Sequence, residues 1–217
     1  MVHRRSILTV WIVTLLIAAV SAAEKGGGFG VKSGMQTLTR PLTGEKTTRT
    51  RFELEVSTVR FLDGQVDLAL AFGGSSLGTL RDASTTEEDG LITSATSVDH
   101  LSVMDLRLAA HYYPLGEGDR DLTPYLGAGL GYFQFMDIYE DTVCVSSTDP
   151  FAIITYTWKN GTKSVADGFF PFLMAGLTVS RGGRTELFAE LEYDFSKRDK
   201  GFDLGGPIYL IGCRFRW

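Results

Sequence analysis

The segment Thr185 to Phe195 alternates strictly, and this constrains the fold of the chain more than any other feature. In an extended strand successive side chains point to opposite faces. Leu187, Ala189, Leu191, Tyr193 and Phe195 therefore share one face, and Glu186, Phe188, Glu190, Glu192 and Asp194 share the other. A strand with four acids on one side and only apolar groups on the other needs two different surroundings. One must be oily, and the other must supply water or opposite charge.

Seven further runs show the same period of two, the signature of half-buried strands. Phe29 to Leu38 sets Phe29, Val31 and Met35 against Lys32 and Gln36, and Arg51 to Leu62 sets Phe52, Leu54 and Val56 against Arg51, Glu53 and Glu55. Val66 to Gly74 opposes Val66, Leu68, Leu70 and Phe72 to Asp67, Ala69, Ala71 and Gly73. Leu101 to Tyr113 opposes Met104, Leu106, Leu108, Ala110 and Tyr112 to Asp105, Arg107 and His111. Pro124 to Met136 carries Leu126, Ala128, Leu130 and Tyr132 opposite Gly127, Gly129 and Gly131, as a narrow barrel with little interior room requires. Phe169 to Ser180 sets Leu173, Ala175, Leu177 and Val179 outward and Phe172, Met174, Gly176 and Thr178 inward, and Pro207 to Trp217 completes the set.

Arg4 and Arg5, the apolar run Ile7 to Val20 and the small residues Ser21-Ala22-Ala23 form a secretory signal, so residues 1–23 are expected to be removed and 24–217 to form one domain. No later run reaches the roughly 20 apolar residues of a transmembrane helix. Only helices and closed barrels satisfy the backbone in lipid. A membrane location therefore means a barrel. The net charge of −5 gives no support for nucleic-acid binding.

Connection lengths suggest the topology. Asp63-Gly64, Leu115 to Asp121 and Arg181 to Arg184 are short, whereas Pro41 to Thr50, Ser75 to His100, Asp137 to Asp167 and Ser196 to Gly205 form a generally longer set. The expected architecture is all-β: an eight-stranded antiparallel transmembrane up-and-down β-barrel, with short periplasmic turns and longer extracellular loops. Asn160-Gly161 is a strong hairpin signal. It is placed above the membrane, in the fifth connection; if both its arms joined the wall, the barrel would have ten strands. A soluble up-and-down barrel with its apolar faces inward is the rival reading.

The chain end decides between them. Tyr209, Ile211, Cys213, Phe215 and Trp217 share one face of the last strand, with Arg214 and Arg216 on the other. Trp and Tyr favour the membrane–water boundary. This end resembles the terminal signal that the barrel assembly machinery reads in bacterial outer-membrane proteins. With it, and with stretches such as Pro124-Tyr125-Leu126-Gly127-Ala128-Gly129-Leu130-Gly131-Tyr132, the chain resembles the small eight-stranded barrels of the outer-membrane protein A and X type. That resemblance implies an outer membrane of the Gram-negative type, with contacts to its lipids and lipopolysaccharide.

Arg51, Glu53, Glu55, Asp67, Asp105, Arg107, Glu186, Glu190, Glu192, Arg214 and Arg216 are expected to face the lumen as a salt-bridged cluster, with Glu186 and Glu190 near Arg214 and Arg216. The alternative is a charged lining for a narrow path for ions or small apolar solutes, as likeness to the outer-membrane protein W group implies. No metal site, cofactor or catalytic group is expected. Of the histidines, His111 faces inward and His100 lies at a loop edge; Ser102 shares the parity of His100 and is the sole candidate for a lipid-modifying pair. Cys144 falls in a loop and Cys213 on the lipid face, so a disulfide between them is not expected. The acidic run Glu87-Glu88-Asp89 and the acids Asp137, Glu140, Asp141 and Asp149 are read as solvated loop residues. The expected role is structural or surface interaction, through exposed loops over a largely plugged lumen.

Overall fold

The computed structural model describes residues 27–39, 46–88, 91–116, 121–147, 155–180, 184–195, 198–199, 202–203 and 205–217. The expected signal segment lies outside them. The strands are β1 (Gly28–Thr39), β2 (Lys46–Ser57), β3 (Val66–Glu88), β4 (Leu91–Tyr112), β5 (Leu122–Ser147), β6 (Thr155–Ser180), β7 (Thr185–Asp194), β8 (Arg198–Asp199), β9 (Phe202–Asp203) and β10 (Gly206–Arg216). Eight of them close an antiparallel barrel in the order β1-β10-β7-β6-β5-β4-β3-β2, and β8 and β9 form a separate two-stranded ribbon. Closure is direct: Met35 of β1 is paired with Tyr209 of β10 on one side and Thr50 of β2 on the other.

The faces separate as lipid exposure demands. Leu54, Leu108, Leu126, Leu130, Leu173, Leu187, Leu191 and Ile211 are exposed on the outside, while the charged residues of the same strands are buried within. A soluble barrel would show the reverse. Tyr112, Phe215 and Trp217 are exposed near one end of the barrel and Phe169, Tyr193 and Phe195 near the other, as interfacial aromatic girdles require. Near the second end, Tyr132 and Phe169 pack with ring centroids 5.1 Å apart.

Inside, the strands are matched large against small. Tyr125 lies opposite Gly176, Gly127 opposite Met174, Gly129 opposite Phe172, Gly131 opposite Phe170 and Phe133 opposite Gly168. A Cβ built on Gly129 or Gly131 would collide with the facing phenyl ring. The glycine face of β5 thus accommodates rings that reach inward from β6.

Several expectations about the connections are corrected. The second strand stops at Ser57, not Leu62, and the turn is wider than Asp63-Gly64 alone: Leu62, Asp63 and Gly64 all have positive φ (52°, 56° and 77°), below a bridge between Phe61 and Val66. The segments read as the loops Ser75 to His100 and Asp137 to Asp167 are largely continued strand. β3 pairs with β2 only as far as Ser75, yet runs on with β4 to Glu88. β6 pairs with β7 only below Phe172, yet runs with β5 up to Thr155. A four-stranded sheet, β3 to β6, therefore stands about 40 Å beyond the barrel rim at one end, at the usual rise per residue. Register shifts at Ser76/Gly78 and Phe135/Met136 mark its root, where a bulge changes the local twist.

Asn160-Gly161 is not a turn. Both residues lie within β6, opposite Glu140 and Tyr139; β5 ends at Ser147 and β6 begins at Thr155. Its arms add no strands, so the ten-stranded alternative fails as well. A Cβ on Gly161 would meet the Tyr139 ring, which gives this glycine a packing reason.

The outer face gives a direct prediction. Leu130→Arg, near the middle of the exposed apolar band, is expected to destabilise the barrel by about 2–4 kcal/mol in lipid vesicles. Thr142→Arg in the extended sheet should change stability by less than about 0.5 kcal/mol. Urea titrations of the two variants side by side check the difference.

Candidate functional site: the charged lumen

Strand parity brings every expected lumen charge to the interior. At the end with the short turns, Asp67 opens β3 and His111 closes β4 directly opposite it. His111 Nδ1 lies 2.8 Å from Asp67 Oδ1, and the Tyr113 hydroxyl donates to Asp67 Oδ2 at 3.0 Å. Arg60, in the turn after β2, lays its guanidinium over the Tyr113 ring, 3.9 Å from the centroid. Arg216 Nε donates to Glu186 Oε1 at 2.7 Å, and Arg214 lies 3.6 Å from the same carboxylate. The neighbouring strands β7 and β10 thus bring Arg214 and Arg216 to Glu186, one of the two acids the sequence places beside them.

Glu190 departs from that expectation. It sits four residues farther along β7, opposite Leu210, and is held by Lys32 Nζ at 2.7 Å and by the Tyr125 hydroxyl. Lys32 also reaches Glu55 at 2.7 Å and Glu53 at 3.1 Å. Arg214, for its part, donates to Glu55, with its Nε 2.9 Å from Oε1.

Higher in the bore two arginines share the next group of acids. Arg51 donates to Glu53 at 2.8 Å and to Asp105 at 2.5 Å. Arg107 donates to Glu192 at 2.6 Å, to Asp194 at 2.8 and 2.9 Å, and to Asp105 at 3.0 Å. Guanidinium geometry suits this role, because one planar fork can address two carboxylates at once. Gln36 accepts from Arg51 at 3.3 Å and from Ser75 at 3.1 Å.

Above the charges the bore is apolar. Leu38, Leu77, Val103, Phe133, Phe135, Ala166, Phe170 and Phe172 pack together as buried residues. Arg107 bridges the two layers, its guanidinium 5.2 Å from the Phe170 ring centre and 5.1 Å from that of Phe172. Water has little reason to enter a layer so lined.

The expected cluster omitted Lys32, Arg60, Tyr113, Tyr125 and Asp194. Lys32, Tyr125 and Asp194 stand on the inward parity of their strands, so parity carried enough signal to include them. Tyr113 continues the inward parity of Asp105, Arg107 and His111, whereas Arg60 lies beyond the end of β2, where alternation no longer assigns a side. Parity turns Phe172 and Met174 inward as expected from the sixth strand, but it gives no sign that Phe133, Phe135 and Phe170 join Phe172 in one apolar layer.

The candidate lipid-modifying pair does not form. His100 Nδ1 lies 2.9 Å from Thr79 Oγ1, and His100 and Ser102 both lie on the outer face of β4. Cys144 and Cys213 are both free. Among the described residues no cluster of His, Cys, Asp and Glu has the makings of a metal site.

No family model matches the chain, and no curated protein matches it in sequence. Solved structures do. Neisserial surface protein A is similar over 88% of this chain and 97% of its own, with 10% identity and a TM-score of 0.52. The outer-membrane protein OprG of Pseudomonas aeruginosa aligns over 90% and 98% of the two chains, with 13% identity and a TM-score of 0.49. Ail, the attachment invasion locus protein of Yersinia pestis, aligns over 89% and 99%, with 11% identity and a TM-score of 0.48 in its complex with a heparin analogue. The chain has the fold of the small eight-stranded outer-membrane barrels.

Proposed function

We propose that this protein is an outer-membrane barrel whose lumen is closed by its own side chains and whose work is done by the four-stranded sheet it holds outside the cell. The observation that carries this reading is the two-layer filling of the bore. Arg51, Arg107, Arg214 and Lys32 are paired with carboxylates across strands, and the phenyl rings cap them at the end from which the sheet extends. An eight-stranded barrel has room for its side chains and little else. Removing one partner of a buried ion pair leaves an uncompensated charge, so such a filling resists opening.

The girdles of exposed aromatics and the apolar outer face support a membrane location, and the secretory signal supports export. Positions 24–217 then form the mature barrel domain. The surrounding partners are outer-membrane lipids and lipopolysaccharide, and the terminal strand with Tyr209, Ile211, Phe215 and Trp217 is the element offered to the assembly machinery. The role is structural or one of surface contact, and not enzymatic. The sheet continues the hydrogen-bonded ladders of β3 to β6 out of the barrel, so its backbone is paired where a loop's would not be.

Orientation is the testable part. Cys144 lies high on β5, about 30 Å from the barrel rim at strand rise. A membrane-impermeant maleimide should label it on intact cells, and Cys144→Ser should abolish the labelling, since Cys213 faces lipid. Labelling only after the outer membrane is permeabilised would reverse the orientation and remove the surface role.

A further inference from the structure

The extended sheet has two faces, and they differ. β4 is paired with β5 without a register shift from Leu91 to Tyr112, so Ser97 and Ala95 stand on the same side as Val103 and Asp105, the side continuous with the lumen. On that inner side lies a concavity of about 450 Å³ that spans all four strands. Its volume is within the usual range for small-molecule sites.

The lining is ordered in cross-strand rows. Asp82, Ser97, Asp141 and Lys159 are paired in sequence across β3, β4, β5 and β6, forming a line of carboxylate, hydroxyl, carboxylate and ammonium. In the next row Ser84 and Thr157 add hydroxyls on the two edge strands, with the small residues Ala95 and Val143 between them. Ser97 Oγ donates to Asp141 Oδ1 at 2.6 Å, which fixes that carboxylate and leaves its other oxygen available as an acceptor. Strands about 4.8 Å apart spread the row over roughly 14 Å.

From this arrangement we infer that the inner face of the extended sheet is a binding site for an uncharged, hydroxyl-rich ligand, a short saccharide. The inference rests on the proposal that the sheet lies outside the cell. Carboxylates accept hydrogen bonds from sugar hydroxyls, the lysine donates to ring and hydroxyl oxygens, and the serines and threonine do either. The small central residues leave room for a ring to lie against the sheet. An apolar ligand is refused, because it would strip water from Asp82, Asp141 and Lys159 without replacing it. A polyanion is disfavoured because Asp82, Asp99, Asp137 and Asp141 outnumber Lys159 and Lys163 on this face. Burial first, and then the neighbouring Asp99, raise the Asp137 carboxyl above its ordinary range, with Lys163 opposite it acting the other way.

The test uses the full mature barrel in lipid nanodiscs and a panel of neutral oligosaccharides, including maltotriose and chitotriose, read by saturation-transfer NMR. At least one neutral sugar should bind. Asp141→Asn should weaken it at least about tenfold, as loss of a charge-assisted hydrogen bond does. Trp158→Ala, on the opposite face of the sheet, should leave it unchanged, and heat-modified gel mobility confirms that both variants remain folded. Competition by a neutral O-antigen oligosaccharide released from lipopolysaccharide would assign the ligand to the bacterium's own envelope; binding without such competition would assign it to a foreign surface. No binding across the panel, binding unaffected by Asp141→Asn, or preference for a heparin tetrasaccharide or for spermidine would overturn the inference. Because the nanodisc exposes both ends of the barrel, such a failure is independent of the Cys144 labelling result.

Discussion

Arg107→Leu is expected to cost the barrel about 3–5 kcal/mol, the range for breaking a buried ion pair by removing one partner. The arginine serves Glu192 and Asp194 on β7 and Asp105 on its own strand, so one substitution withdraws a cation from three buried acids. Leucine removes the charge and also the guanidinium's volume, so a cavity adds to the loss of the ion pairs. Arg107→Lys should recover only part of the loss, because an ammonium cannot span two carboxylates as the planar fork does. The triple variant Arg107→Leu, Glu192→Gln, Asp194→Asn should recover more, since removing both partners costs less than stranding one. Urea unfolding in vesicles, followed through Trp158 and Trp217, measures all three. A loss below about 1 kcal/mol for Arg107→Leu would mean that the lumen charges do not hold the barrel together.

The second large effect belongs to the seam. Gly34 of β1 faces β10 across the closing ladder, and a Cβ there would fall within the Tyr209 carbonyl and against the Leu210 Cα. Those are backbone atoms, so no rotamer change relieves the clash, and the strands cannot separate without opening the cylinder. Gly34→Ala is expected to lose at least about 2–3 kcal/mol, the upper part of the range for overpacking. Gly30 on the same strand is the matched control: its nearest neighbour would be the Glu55 Cβ at 3.5 Å, an ordinary contact. Gly30→Ala should shift stability by less than about 1 kcal/mol. Equal effects at the two positions would place the tight approach elsewhere.

The barrel wall was legible because each wall strand lies between lipid and a charged bore. Glu186, Glu190 and Glu192 alternate with Leu187, Ala189 and Leu191 for that reason, and parity alone put Arg51, Asp105, Arg107 and Arg214 inside. Beyond the rim the two sides become alike. From Thr79 to Glu88 and from Leu91 to His100 neither face is buried, so these residues carry no apolar alternation, and the sequence there reads as loop. The Ser, Thr and Val content of Ile92 to Val98 was the remaining strand signal. Asn160-Gly161 misled for a related reason. The pair favours a reversal only where the chain has none of its neighbours to pair with, and here β5 supplies Glu140 and Tyr139 as partners.

The bore was legible only in its charged half. Which acid meets which cation depends on strand tilt and side-chain length, and these carry Lys32 to Glu190 on a strand two places around the cylinder. Strand parity says that both face inward and nothing about their meeting. The phenyl layer is partly legible, since parity turns Phe172 inward, but nothing in the sequence says that Phe133, Phe135 and Phe170 meet it across two strands.

A planar bilayer recording of the purified protein tests the closed lumen most directly. The filled bore should give no resolved conductance steps at applied potentials of about 100 mV, and Arg107→Leu should give none until the barrel unfolds. Stable steps of porin size from the wild-type protein would contradict the account, because ions would then be passing the Arg51 and Arg107 pairs and the phenyl rings above them.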